Sequence, residues 1–411
     1  MATTGVRTDA GSAGSGTARA SEVPRGRGIR LSRAHALTIR SSVLGRLLLV
    51  EGVLAGVALT LSLPTAPPTV VLGGGAALAL AVAVPWRGRT GAMWLVEGIA
   101  HRLRLRAGER APVDAVAQVI GGRLMRESVG PRGDRSVLVV DGTRWTSVSA
   151  LLVSGPGPVG GAGATRLPIG ELWTAISPTI RKACSLQVVV QRTPVADGRA
   201  RWRTWMCLGV DSALCGDAID ARGGEARGVI RTALVETARV GDRAGLLGLR
   251  LDPLDATALR TCIAELLVPD SHDDRPPEPA AAAVGPPPEA PLGDPAVGPL
   301  LEDWSACAAG GMIHRSYRQD RWSGTAALAA ALSDRAIAGA VGVTAAITLR
   351  YDDLGMLAVE PVIRVTASPG GTSDIDAHLA RIGADTQVRW SSLDGAHLDG
   401  LRATMPLGCR A

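Results

Sequence analysis

Ser136-Val-Leu-Val-Val-Asp-Gly-Thr-Arg-Trp-Thr-Ser-Val-Ser-Ala-Leu-Leu-Val153 decides the fold class. Two apolar, β-branched runs flank a turn that opens with Asp141-Gly142, a strong short-range signal for a β-hairpin. The same composition returns at 186–190 and 202–210, and again at 341–349 and 356–365, where Asp352-Asp353-Leu-Gly355 marks the turn. Between the strands, Val229, Ile230, Leu234, Val235 and Ala238 recur at helical spacing within 224–248. A second helix is predicted over 254–267, begun near Asp252-Pro253. A third should start at Ser373, where Ser373, Asp374 and Asp376 suit a helix N-terminus. The mixture predicts an α/β or α+β sheet domain. With no Phe and two Tyr, its core must be packed from Val, Leu, Ile and Ala, with the nine Trp as the large pieces.

The domain divides into 112–268 and 300–411. Residues 269–299 between them are rich in Pro and acids and include Pro286-Pro-Pro288, a composition that predicts a disordered, extended insert. Upstream, residues 1–41 are Gly, Ser, Ala, Thr and Arg with almost no large apolar side chain, so a disordered basic tail is predicted.

Residues 42–88 carry two apolar runs, 47–63 and 69–84, joined by Pro64-Thr-Ala-Pro-Pro68. Each has about 17 residues, near the short end of what crosses a bilayer core, with Glu51 the single acid. They predict a transmembrane helical hairpin. Arg25, Arg27, Arg30, Arg33, Arg40 and Arg46 precede it; Arg87, Arg89, Arg102, Arg104 and Arg106 follow it; the connecting turn is uncharged. That asymmetry places both termini in the cytoplasm of a multi-pass protein of the bacterial plasma membrane. Residues 89–111 then form a juxtamembrane amphipathic segment, with Leu95, Val96, Ile99 and Leu103 on one face and Glu97, His101 and Arg104 opposite. It would lie at the headgroups or pack on the domain. Arg46, Trp86, Arg87, Arg89, Trp94, Arg102 and Arg104 are the candidate membrane-interface residues, with anionic lipid headgroups as their partner.

The net charge of +6 is unevenly held. Residues 1–110 have 14 Arg against five acids, whereas the rest has 30 basic and 33 acidic residues. The domain therefore lacks the basic excess that nucleic-acid binding requires. No phosphate-binding loop surrounds the only Lys, Lys182, and the six Cys form no C-x-x-C pair. Asp374-Ile-Asp376 has the form with which sugar-nucleotide transferases hold a metal, but at a helix start the dipole explains it more simply. His314 and His397 are expected as surface or capping residues. No catalytic, cofactor or metal site is predicted.

Several segments in order resemble one family. They are Gly45-Arg46 before the first apolar run, Trp86-Arg-Gly-Arg89, Trp94-Leu-Val-Glu-Gly98, Val137 to Trp145, and Gln187-Val-Val-Val190. They continue with Arg203 to Cys215, Ala221-Arg-Gly-Gly224, and the closing Leu393 to Gly408. The sequence is similar to EccE, the E subunit of the type VII (ESX) secretion membrane complex of actinobacteria. The resemblance implies a structural subunit without enzymatic activity. Its cytosolic domain would have a degenerate glycosyltransferase-like fold and dock on other membrane subunits, while a separate ATPase subunit drives export. The insert at 269–299 lies outside it.

Overall fold

A computed structural model describes residues 114–129, 135–153, 183–194, 200–269, 297–333, 337, 339–351, 356–372 and 374–409. Ahead of them it describes 85–86, 89–90, 94, 98–99 and 101–103. The predicted tail, both apolar runs of the predicted hairpin and nearly all of the insert lie outside the described residues. Among those described, no helix is long and apolar enough to cross a membrane.

The described part opens with a two-residue ladder, β1 (Pro85–Trp86) against β2 (Arg89–Thr90). The first half of the domain follows: α1 (Ala115–Ile120), β3 (Leu124–Val129), β4 (Arg135–Asp141), β5 (Arg144–Val153), β6 (Cys184–Pro194) and β7 (Ala200–Asp211). It ends with α2 (Gly216–Asp220), α3 (Glu225–Gly245), β8 (Leu249–Pro253) and α4 (Ala256–Leu267). The second half holds β9 (Leu301–Glu302), β10 (Cys307–Ala309), β11 (Met312–Gln319), α5 (Ala326–Ala331), β12 (Ala340–Tyr351) and β13 (Leu357–Ala367). It closes with α6 (Ile375–Thr386), β14 (Trp390–Ser392) and α7 (His397–Ala403).

Twelve of these strands form one sheet in the order 3-4-5-7-6-12-13-11-10-9, with β8 added to β5 and β14 to β11. Successive side chains of a strand point to opposite faces, and both faces are covered. Val188 and Val190 join a core with α3, α5 and α6, whereas Val189 joins the core with α1, α4, α7 and the C-terminal segment. The mixed α/β expectation holds as a large antiparallel sheet between helical layers. Every pairing in it is antiparallel, so the architecture gives no support to the glycosyltransferase-like expectation. Val297 and Leu300, at the end of the predicted insert, are buried in the second core, and Asp114 bridges Pro299.

The strand order reads the same from either end, which the sequence did not announce. β3-β4-β5-β7-β6 of the first half corresponds to β9-β10-β11-β13-β12 of the second, and β8 to β14. Residue registers agree. Val148 lies opposite Cys207 and its carbonyl accepts from Leu254 N; Ser316 lies opposite Arg364 and its carbonyl accepts from Leu393 N. Leu254-Asp255 and Leu393-Asp394 are thus equivalent, each leading into the last helix of its half. Gly241 of α3 sits over Leu251 of β8 as Gly383 of α6 sits over Trp390 of β14. The fold is an internal duplication whose two-fold relation passes between Val189 and Ala346, paired at the centre of the sheet.

Gly228 and Gly241 test the packing of α3 in opposite directions. A Cβ on Gly228 would lie 2.3 Å from the Ile219 carbonyl oxygen, which belongs to the backbone of α2 and cannot move aside. Gly228→Ala should therefore cost about 1–3 kcal/mol. A Cβ on Gly241 would meet Leu251 Cδ1 at an ordinary 3.4 Å, so Gly241→Ala should gain about 0.5–1 kcal/mol of helix propensity. Denaturant midpoints of the two variants, moving to opposite sides of the parent, check both.

Candidate functional site

The predicted interface residues are described in part. Trp86 and Arg89 fall in the β1–β2 ladder, and Trp94 and Arg102 in a helical segment; Arg46, Arg87 and Arg104 lie outside the described residues. The segment is helical at Trp94, at Gly98 and Ile99, and at His101 to Leu103. Trp94 stacks on Trp304 with ring centroids 5.6 Å apart, and His101 meets the same ring edge-on at 5.7 Å. Gly98 lies between them, where a Cβ would stand 3.9 Å from Trp304. His101 Nδ1 is 3.9 Å from a Glu302 carboxylate oxygen, and the other oxygen of Glu302 accepts from Leu398 N at 2.9 Å. Behind Trp304, Gly395 takes φ +72° and donates its N–H to the Trp304 carbonyl at 2.7 Å. A side chain there would come within 2.6 Å of the indole, so glycine lets the ring lie flat on the backbone. Trp304 is thus gripped between the segment and the approach to α7.

Beside this clamp is a half-open cleft of about 280 Å³. Its walls are Trp94, Arg315 and Tyr317 of β11, Asp376 and Leu379 of α6, and Trp390 with its neighbours on β14. Asp376 does not serve as a cap. Its carboxylate accepts from Tyr317 Oη at 2.7 Å and from Arg315 at 3.1 Å, while Asp374, the residue before α6, makes no capping hydrogen bond. The pair does stand at the helix start as expected, Asp374 at the N-cap position and Asp376 in the first turn, and Asp376 in addition ties α6 to the sheet. Burial pushes the Tyr317 phenol well above its ordinary pKa, so it stays a donor. The duplication shows what is special here. The first-half counterparts of Arg315 and Tyr317 are Ser147 and Ser149, and Ser147 Oγ meets Thr237 Oγ1 of α3 directly at 2.5 Å. In the second half an Arg–Asp–Tyr group replaces that close contact, and Arg315 Nε and Trp390 Nε1, both buried, have no hydrogen-bond partner among the described residues.

The expectation of surface positions for His314 and His397 is overturned: both are fully buried. His397 Nδ1 accepts from Ser316 N at 3.1 Å and so links α7 to β11. His314 faces the opposite core from the cleft, with Nδ1 3.1 Å from Thr366 Oγ1 and Arg364 nearby. Its strand, Met312 to Gln319, is mostly polar and was not anticipated; the signal available was Gly310-Gly311, both at positive φ in a two-residue turn. Five of the six thiols are buried and none is in a disulfide; burial raises the pKa of Cys207, Cys262 and Cys409. Among the described residues no cluster of His, Cys, Asp and Glu could hold a metal.

Residues 199–319 match the family model described as "Putative type VII ESX secretion system translocon, EccE". Over that stretch the chain is similar to EccE. The match bears out the family resemblance read from the sequence, and it runs from β7 through β11. It therefore includes Glu302 and Trp304 of the clamp and Arg315 and Tyr317 of the cleft. The comparison with curated proteins finds no match.

Two measurements follow from this geometry. Trp304→Ala should free the segment at 94–103 while leaving the domain folded, seen as faster tryptic cleavage after Arg102 with a small shift in thermal midpoint. Burial, then the Arg364 charge, hold the His314 pKa well below its ordinary value. The native ring refuses a proton that the unfolded chain accepts, so stability present above about pH 6.5 declines as pH falls below it. His314→Gln should flatten this acid limb in unfolding midpoints measured against pH.

Proposed function

We propose that this chain is a structural, non-catalytic subunit of a type VII (ESX) secretion membrane complex. The observation that carries the reading is the EccE match over residues 199–319, which ties the chain to type VII secretion. In this reading 42–88 anchor the chain in the plasma membrane as a two-helix hairpin with both termini cytoplasmic. Arg46, Trp86, Arg87, Arg89, Arg102 and Arg104 meet anionic headgroups. The antiparallel domain docks on other type VII secretion membrane subunits, including the separate ATPase subunit and its neighbours. The cleft supports a docking role because its wall sets Arg315 beside the rings of Trp94 and Trp390. Aromatic and Arg side chains are the usual anchors of protein interfaces. A tether raises the effective concentration of the domain beside its partners, so a modest interface suffices.

A membrane-anchored sugar-nucleotide transferase and a membrane-bound regulator or scaffold are the competing readings, and the placement of Asp376 weighs against the first. That carboxylate is already engaged by Arg315 and Tyr317. The test is co-purification from detergent. Full-length protein should bring down the other secretion membrane subunits, and a chain lacking residues 1–88 should bring down far less. Thiol-reactive labelling of Cys introduced at Arg30, Ala66 and Arg135 should show 30 and 135 cytoplasmic and 66 outside. Full-length protein that captures no secretion subunit would overturn the reading.

A further inference from the structure

The helical segment at 94–103 has two opposed faces, and the structure assigns a partner to only one of them. At about 100° per residue, Trp94, Gly98 and His101 share one side of the helix, and that side is the one clamped on Trp304 and Glu302. Ile99 and Leu103 fall one turn apart on the far side. There they are 51% and 46% exposed, although both are large and apolar. Arg102, exposed as well, flanks them. Ile99 and Leu103 of the stripe expected from the sequence therefore face away from the domain, which is held instead by the side that hydropathy would rank as polar.

We infer that the Ile99–Leu103 face lies on an anionic lipid surface, so that the clamp fixes which side of the domain turns to the membrane. The inference rests on the membrane-subunit reading above and adds an orientation to it. Charge complementarity chooses lipid as the occupant. Between residues 86 and 106 there are five Arg and one acid, Glu97, whereas the domain beyond 110 has more acids than basic residues. An apolar face edged by Arg is the pattern of a helix lying in a headgroup layer. A protein partner of neutral or basic surface would gain nothing from that edge. Continuity supports the same choice, because the two longest apolar runs of the sequence end at Val84, ten residues before Trp94. Because Trp304 and Gly395 sit at the entry to α7 and Glu302 ends β9, the membrane side is the β9–α7 side of the second half. The cleft opens beside that side, so whatever enters it approaches along the membrane.

The experiment uses the full chain in vesicles of phosphatidylcholine with a minority of phosphatidylglycerol. Cys215→Ser removes the one partly accessible native thiol. An environment-sensitive fluorophore is then placed at Ile99→Cys, at Leu103→Cys or, as a reference, at Leu246→Cys on the C-terminal end of α3, 76% exposed. Nitroxide carried on the lipids should quench the probes at 99 and 103 several-fold more than the probe at 246, and aqueous iodide should do the reverse. Vesicles without phosphatidylglycerol should weaken the contrast. Should iodide reach 99 and 103 as freely as 246 while the protein floats with the vesicles, the inference falls and the membrane-subunit reading stands. Probes shielded from both quenchers would mean that protein covers the face, which also overturns the inference. Full-length protein that does not float with vesicles at all would overturn the membrane-subunit reading itself.

Discussion

The ladder between β6 and β12 is the constraint on which the rest of the molecule depends. It is the seam of the duplication, running from Val343 opposite Arg192 to Arg350 opposite Ser185. Every residue of β6 from Cys184 to Thr193 is buried, and so is β12 from Val343 to Leu349. A strand buried on both faces can carry polar side chains only where each finds a partner. Gln187 shows how this is met. Its amide donates to the Ala403 carbonyl at 2.7 Å and accepts from Gly408 N at 2.9 Å. The seam thereby fastens the C-terminal segment of the second half onto the first. A Cβ on Gly408 would strike Thr146, whose second-half counterpart His314 is reached in turn by the end of α4 at Leu267. Each half is completed by the tail of the other, and neither has a core without the seam.

What could be read in the sequence follows from how plainly local chemistry agrees with the final environment. β4, β5, β6, β7, β12 and β13 are rich in Val, Ile and Leu and are buried, so composition and burial point the same way. α3 and α4 announce themselves by spacing, though α4 starts at Asp255, whose carboxylate accepts from Ala258 N, because Pro253 is needed as the end of β8. β11 was hidden because Met-Ile-His-Arg-Ser-Tyr-Arg-Gln looks like a surface segment. Its polar groups are instead consumed inside the fold: Arg315 and Tyr317 by Asp376, and His314 by Thr366. The duplication was hidden for a related reason. Equivalent positions have drifted to unlike chemistry, Cys207 to Arg364, Thr146 to His314 and Ser147 to Arg315, which leaves Leu-Asp before the last helix as almost the only shared word.

The clamp shows a third kind of disagreement, between hydropathy and packing. The sequence marks Leu95, Val96, Ile99 and Leu103 as the face to bury and groups His101 with the charged residues. The structure buries His101 and exposes Ile99 and Leu103. Flat rings explain the choice. Trp94 and His101 enclose an indole through stacked and edge-on contacts, which add the directional attraction of aromatic pairs to the area they bury. Gly98 between them lies close to the same ring, at a distance where even a methyl group would make only ordinary contact.

Duplication also accounts for why the candidate site lies where it does. Two equivalent halves start with equivalent surfaces, and a fold joined at one central ladder needs only one of them to stay closed over its own sheet. The first half does so: α3 runs 21 residues, and Ser147 meets Thr237 without a gap. In the second half α6 corresponds to only the C-terminal part of α3, and Arg315 with Asp376 stands where that contact was. The features that single out a surface for binding are gathered there: the cleft, the clamp on Trp304, and the helix whose apolar face is turned outward. On the function proposed above, the first half supplies rigidity and the second supplies attachment. A change that loosened the seam would disturb attachment without touching any residue of the site, because Ser316, which holds His397 of α7, lies beside the Arg364 that reaches Thr344 of β12.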